Sequence, residues 1–339
     1  MEQDQAVAVL GASGHTGRFV VGELQRRGFK AVAVARDETK LMASGFKERG
    51  VECRIASVDD PASLASAFAG VAAVVNCAGP FLDTAEPVVT AALRARIHYL
   101  DVTAEQASVQ DIFAKFSDAA RDAEIVVVPA MGFYGGLGDL LASAAMGDWS
   151  SADEIRIGIA LDSWHPTAGT RNTGRRNTAP RLIVKDGILA PLPQPAAETS
   201  WDFSDPFGRQ DVSEVPFSEI ILIAQHLRTG ELHTYLNHTA LRDIRDPATP
   251  PPEASDESGR SAQLFQCEAI VQKGGETRGA LVGGRDIYAF TAPLVCEAVQ
   301  RILDGKLRSS GVQAPGAIFD ARSFLRALAP AQMIASGVG

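Results

Sequence analysis

Basic charge, aromatic rings, paired cysteines and long hydrophobic runs are all in short supply in this sequence. Lysine and arginine total 32 against 41 aspartates and glutamates, a formal net charge of −9. A nucleic-acid binder needs a basic face to meet phosphates, so that class of partner is excluded. The four cysteines, Cys53, Cys77, Cys267 and Cys296, have no short paired spacing. That excludes a zinc module and a C-x-x-C redox site, and it suits a reducing compartment. The longest apolar stretch, Ile125 to Phe133, is interrupted by Pro129 and falls far short of the ~20 residues that cross a bilayer, so no membrane partner is expected. The opening residues, Met1-Glu-Gln-Asp-Gln5, are acidic and polar, unlike a signal peptide, and point to a cytoplasmic protein. What remains is 339 residues with 46% apolar content, enough for a packed core and, at ~150 residues each, for two domains.

The first 130 residues alternate strand and helix signals. Ala6 to Leu10, Ala31 to Ala35, Val71 to Asn76, Ile97 to Leu100 and Ile125 to Val128 are short apolar runs, with a weaker one at Val51 to Val58. Such runs suit strands buried on both faces. Helical stretches separate them: Thr16 to Arg27 before Gly28, another ending near Gly50, and one opened by Asp60-Pro61 as N-cap and first-turn proline. Thr103-Ala-Glu-Gln106 has capping-box spacing and opens a helix to about Asp122. Strands joined by such helices imply right-handed crossovers and a doubly wound parallel sheet.

Beyond Gly136 the rhythm changes. A helix is expected over Leu137 to Met146, then strands at Glu154 to Leu161, Glu219 to Ala224 and Ser261 to Lys273. Strands without intervening helices indicate an α+β second domain with a mixed or antiparallel sheet. Asp246 to Pro252, continuing through Glu253 and Asp256, reads as a Pro-rich acidic connector. Helix returns at Ala292 to Leu303 and Ala321 to Leu328.

One motif carries chemistry. Gly11-Ala-Ser-Gly14-His-Thr-Gly17 lies between the first strand and first helix. There Gly11 permits the tight turn, Gly14 lets backbone approach a pyrophosphate, and Gly17 lets the helix pack on the strand. Free N–H groups at the helix start meet the phosphates, with hydroxyls from Ser13 and Thr16 and the backbone of His15 alongside. Arg36 comes first after the second strand, where a guanidinium pairs with the 2′-phosphate of NADP, so NADP is favoured over NAD. Asp37 reads better as the N-cap of the next helix. After the fourth strand, Asn76-Cys-Ala-Gly-Pro-Phe81 brings Cys77, Ala78, Gly79 and Pro80 to the nicotinamide ribose, with Cys77 read as a buried thiol rather than a nucleophile.

These segments, together with Tyr99-Leu-Asp-Val-Thr-Ala-Glu105 and Gly132-Phe-Tyr-Gly-Gly-Leu-Gly-Asp139, resemble the saccharopine dehydrogenase-like (saccharopine reductase) family. The resemblance covers about residues 6–142 and reappears at Gly311 to Leu328. It implies an NADP-linked Rossmann domain built from both chain ends, residues 1–135 with 290–339, and an inserted α+β substrate or dimerisation domain over 136–289. Two departures stand out: Ala104 where the family has glycine before Glu105, and Tyr134 in place of an acidic residue. Both lie where substrate belongs, so the family's substrates are not carried over.

Candidate catalytic groups are Asp101 and Glu105, which emerge at the end of the fifth strand, and Tyr99 and Tyr134 as proton donors. Helix-start electrostatics is nonetheless the preferred account of the two carboxylates. None of the four tyrosines has lysine four residues later, which excludes the Tyr-x-x-x-Lys base of short-chain dehydrogenases. His226, His233 and His238 are not read as metal ligands, because His233 and His238 would face opposite sides of a strand. Arg171, Arg175 and Arg176 lie in the acid-free stretch His165 to Thr178, read first as a solvated loop and alternatively as a mobile lid that binds an anionic substrate or closes on the cofactor phosphates. The expectation is an NADP-dependent oxidoreductase acting on a carbonyl, imine or activated alkene of a small molecule, with a homodimer through the second sheet open. The alternative is a non-catalytic NADP-sensing protein.

Overall fold

The computed structural model describes residues 5–305, 307, 309–328 and 334–336; the first four residues, and 329–333 and 337–339 of the tail assigned above to the cofactor domain, lie outside the described residues. The first strand, β1 (Ala6–Leu10), shows why the apolar runs become parallel strands. Val7 and Val9 enter one core and Ala8 and Leu10 another, so neither face tolerates a polar side chain. Along the chain follow α1 (His15–Arg26), β2 (Lys30–Ala35), α2 (Glu38–Met42), β3 (Glu52–Ile55), α3 (Pro61–Ala67), β4 (Ala73–Asn76), α4 (Phe81–Ala95), β5 (His98–Asp101), α5 (Gln106–Asp122) and β6 (Val126–Val128). The helix expected up to Gly50 is only the short α2 and a single 3₁₀ turn over Lys47–Arg49. Asp60 caps α3 as expected, accepting from the N–H groups of Ala62 and Ser63.

A kinked, non-helical turn over Phe133–Leu137, with Gly135 at φ +135°, leads into α6 (Gly138–Met146). The second unit contains β7 (Ala152–Leu161), α7 (Ala168–Arg176), β8 (Leu182–Lys185), β9 (Ile188–Pro191), β10 (Glu198–Asp202), β11 (Arg209–Glu214), α8 (Glu219–Ala224), β12 (Thr229–Asn237), α9 (His238–Arg245), β13 (Leu264–Lys273) and β14 (Glu276–Arg285). The chain closes with α10 (Ile287–Leu303), β15 (Gly311–Val312), α11 (Pro315–Ile318), α12 (Ala321–Leu328) and β16 (Ile334–Ser336).

Strands order as β15-β6-β5-β4-β1-β2-β3 in one sheet, and every pair in it is parallel. Side chains of α1 and α10 join the core on one face and those of α3, α4 and α5 the core on the other, which is the doubly wound arrangement. The second sheet runs β10-β11-β12-β7-β13-β14-β16, with β8 and β9 to one side. It is mixed: β12 and β7 are parallel, while β13 pairs antiparallel with both β7 and β14. The tail serves both sheets, since β15 extends the parallel sheet beside β6 and β16 pairs with β14.

Three local expectations are corrected. Glu219–Ala224 is helix α8 rather than a strand, because Glu219–Ile223 are buried all round and a six-residue apolar run satisfies either geometry. His165 to Thr178 contains α7, capped by the Thr167 hydroxyl. Thr103 and Gln106 do not form a capping box. The N-cap of α5 is Glu105, Thr103 accepts the Glu105 N–H, and the Gln106 amide turns away to the second unit.

Candidate cofactor and substrate cleft

β1 lies between β2 and β4, so successive crossovers leave it in opposite directions and open a crevice at the carboxyl ends of the strands. The glycine turn occupies that point. Gly11 adopts φ +80°, and a Cβ there would stand 2.9 Å from the Cys77 carbonyl carbon and the Ala78 nitrogen. Only glycine lets the two loops abut. A Cβ on Gly17 would sit 2.3 Å from the Gly11 carbonyl, so the helix start rests directly on the turn. Gly14 is the N-cap of α1 and supplies no side-chain cap, and the first turn contains no acidic residue. Such a helix start has open N–H groups and a positive dipole end suited to a pyrophosphate. Ser13, His15 and Thr16 are partly accessible around it.

The His15 ring packs edge-on to Phe19 and Tyr288, each 5.4 Å between centroids. Burial pulls its pKa down, against the charge of Asp286, and keeps the imidazole neutral near pH 7. Arg36 follows β2, is exposed, and has no ion-pair partner among the described residues. Asp37 caps α2 by accepting the Lys40 N–H at 3.0 Å, the task expected of it.

At the ends of β4 and β5 a buried polar network forms. Asn76 accepts from the Ala78 N–H and donates to Thr84 and, at 3.4 Å, to the Tyr99 hydroxyl. Tyr99 donates to Asp101 at 2.8 Å, and the other Asp101 oxygen accepts from the N–H groups of Thr103 and Ala130. Both side chains are fully enclosed. Glu105 is enclosed too, and its carboxylate accepts from Phe81 and Leu82 N–H at 2.8 and 3.1 Å, capping α4 just past Gly79-Pro80. Tyr99, Asp101 and Glu105 are thus brought together, with their polar atoms engaged in holding the loops. Cys77 lies beside them; burial, helped by the Asp101 charge, pushes its thiol pKa far up, which leaves no thiolate.

Tyr134 differs. It packs at a tilt against Phe217 (4.3 Å) and Trp164 (5.2 Å), and its buried hydroxyl has no hydrogen-bond partner among the described residues. Burial raises its pKa well above the ordinary value, so the phenol stays protonated.

Helix α7 crosses from the second unit to the loops of the first. Thr170 meets the Tyr288 hydroxyl at 2.9 Å, and a Cβ on Gly79 would stand 2.9 Å from the Thr173 hydroxyl. Arg176 pairs with Asp83 of α4 at 2.9 Å, Arg171 donates to the carbonyls of Asp246 and Thr249, and Arg175 bonds Asn172. The three arginines therefore do not converge on one anion. Sequence reasoning missed Arg181, Phe217, Trp164 and Tyr288, all of which contribute to this region. The acid-free stretch in fact runs from Ser163 to Lys185 and contains Arg181, a signal that was legible. His233 sits on β12 between Glu214 and Glu231, whereas His238 opens α9 and bonds Ser213; no group able to hold a metal is found among the described residues.

Residues 7–128 match the family model of the saccharopine dehydrogenase NADP binding domain. Over that stretch the chain is similar to the cofactor domain of that family. A probable mitochondrial saccharopine dehydrogenase-like oxidoreductase of Arabidopsis thaliana is 29% identical over 185 residues, 49% of this chain and 41% of the relative. A lipid droplet localized protein of Caenorhabditis elegans is 30% identical over 139 residues, 38% of this chain and 33% of the relative. The human saccharopine dehydrogenase-like oxidoreductase is 27% identical over 146 residues, 38% of this chain and 34% of the relative. The chain thus spans less than half the length of these relatives. In fold it is similar along its whole described course to apo saccharopine dehydrogenase (L-Glu forming) from Saccharomyces cerevisiae: TM-score 0.68, 14% identity, 98% of this chain and 99% of that one. NADP, the expected cofactor, is the one its domain family binds. The cytoplasmic expectation is overturned, since the relatives are named for the mitochondrion and the lipid droplet. No helix among the described residues is long and apolar enough to cross a membrane.

Proposed function

We propose that this chain is an NADP-dependent oxidoreductase that transfers hydride to or from a carbonyl, imine or activated alkene of a small organic substrate. One observation carries the reading: the Gly11–Gly17 turn sits where strand order reverses, inside the stretch matched by the NADP binding domain. When bound, NADP supplies or accepts the hydride. The first-turn N–H groups of α1, with Ser13 and Thr16, hold the pyrophosphate, and Arg36 forks the 2′-phosphate. Cys77 to Pro80 wall the nicotinamide side, held in place by the Asn76, Tyr99, Asp101 and Glu105 contacts. In this reading Tyr134, whose phenol stays protonated and whose buried hydroxyl has no hydrogen-bond partner among the described residues, is the group left to supply the proton. Residues 1–135 and the tail from 290 form the cofactor domain in this reading, except β16, which joins the substrate domain of 136–289.

The test is a fluorescence titration of NADPH and NADH into the full chain and its Arg36→Ala variant, followed by a screen of carbonyls, imines and enoyl thioesters for cofactor oxidation. Arg36→Ala is expected to weaken NADPH about 10- to 100-fold and leave NADH nearly unchanged. Absence of nucleotide binding overturns the reading, and tight NADPH binding with no turnover across the screen favours the sensor.

A further inference from the structure

Tyr288 lies in the first turn of α10, just after the chain leaves the second sheet at the end of β14. Its footing is rigid. Asp286 is fully buried and sits at φ +60°, where a residue other than glycine is strained. The Asp286 carboxylate holds that turn by accepting the N–H groups of Ser261, Tyr288 and Ala289. From there the Tyr288 ring meets the His15 ring of the glycine turn edge-on, at 5.4 Å. Its hydroxyl reaches the segment that carries α7. The Trp164 indole N–H donates to it at 3.0 Å and the Thr167 N–H at 3.4 Å. Those two donors fill the lone pairs of the oxygen, so its own proton goes to the Thr170 hydroxyl at 2.9 Å. One phenol therefore connects the glycine turn to the helix that crosses it.

Helix α7 is soft where this post is stiff. None of its residues is buried, and its hold on the rest of the chain is polar: Thr170 on Tyr288, Arg171 on two carbonyls, and Arg176 on Asp83 of α4. Its Thr173 rests on the other loop of the crevice, where a Cβ on Gly79 would stand 2.9 Å from the Thr173 hydroxyl. The two units are otherwise joined through the continuous apolar core, so α7 can swing out without parting the sheets. It thus touches both loops assigned above to the dinucleotide. Resting on the oxidoreductase reading, we infer that α7 is the closing strap of the cofactor crevice and that the Tyr288 hydroxyl is its latch. NADP passes when the three bonds at that oxygen open, and α7 closes again behind it. The arginines of α7, expected to clamp an anion, hold the rim of the strap instead.

The test is stopped-flow binding of NADPH to the full chain, read by cofactor fluorescence, with hydrogen exchange of residues 168–176 measured alongside. In the wild type the binding rate should level off as NADPH rises, because opening of α7 becomes limiting, and bound NADPH should slow exchange in α7. Tyr288→Phe keeps a ring against His15 and removes the latch oxygen. It should raise both the plateau and the rate of NADPH release about 3- to 10-fold. The dissociation constant should stay within about 3-fold, since the latch closes free and loaded chains alike. Thr170→Val removes one of the three partners and should fall between wild type and Tyr288→Phe. Binding rates that stay linear in NADPH, rates unchanged in both variants, or faster release alone each overturn the inference. So does exchange in α7 that NADPH leaves untouched. Absence of NADPH binding by the wild type would sink the oxidoreductase reading and the strap with it, whereas binding without a gated rate sinks the strap alone.

Discussion

The carboxylate of Asp101 accepts three hydrogen bonds, yet burial outweighs them and raises its pKa to about 6. An unfolded aspartate titrates near ~3.9, so between those values the folded chain holds a proton that the unfolded chain releases. Stability from this group is therefore greatest below about pH 4, falls as pH rises toward 6, and is flat above. Asp101→Asn keeps an oxygen for the Thr103 and Ala130 N–H groups and a polar partner for Tyr99, but it cannot titrate. Urea unfolding of both proteins across pH 4 to 7 should show the wild type losing on the order of 2 kcal/mol relative to the variant over that interval. Parallel pH profiles would refute the assignment. The case also shows what a sequence carries at this scale. That Tyr99, Asp101 and Glu105 gather at a strand end was legible from the strand run before them. Their tasks were not, because the groups that occupy them, Ala130 and Phe81, lie 29 and 24 positions away.

Among the elements, β1 to β6 were legible because a strand buried on both faces leaves an unbroken apolar run. The identical property hid α8. α7 was hidden for a different reason: Gly169, Thr170, Asn172, Thr173 and Gly174 are weak helix formers, and none of its residues is buried. Nine residues of that composition are marginal alone, so its anchors decide its state. Thr170 on Tyr288, Arg171 on Asp246 and Thr249, and Arg176 on Asp83 hold it across the glycine turn and the Gly79 loop. Arg176 and Asp83 are about half exposed, which limits the pair to roughly 0.2–1 kcal/mol. An Arg175→Ala/Arg176→Ala chain should melt like the wild type while amides in residues 168–176 exchange faster and NADPH dissociates about 2- to 5-fold faster. Unchanged exchange and unchanged release in stopped flow would show that α7 is not the closing strap.

Across the whole molecule the two sheets are joined by more than the chain that crosses between them. The first core runs without a break from β1 and α1 through α6 and α10 to the inner face of β7 and β13. Gln106, at the start of α5, ties the first unit to backbone of the second. Its amide donates to the Leu182 and Phe217 carbonyls, both at 2.9 Å, and accepts the Leu182 N–H at 2.7 Å. Partners 76 and 111 positions away left no local trace, which is why capping was the natural reading of Gln106. Gln106→Ala strands three backbone groups where water has little access, so the cost includes their desolvation as well as the lost bonds. A loss of about 2–4 kcal/mol in urea unfolding is expected, with the transition still monitored on both sheets together. Gln106→Glu should be no better: the carboxylate still accepts from Leu182 but now faces two carbonyl oxygens with nothing to donate. A Gln106→Ala chain as stable as the wild type would mean that the apolar core alone holds the two sheets together.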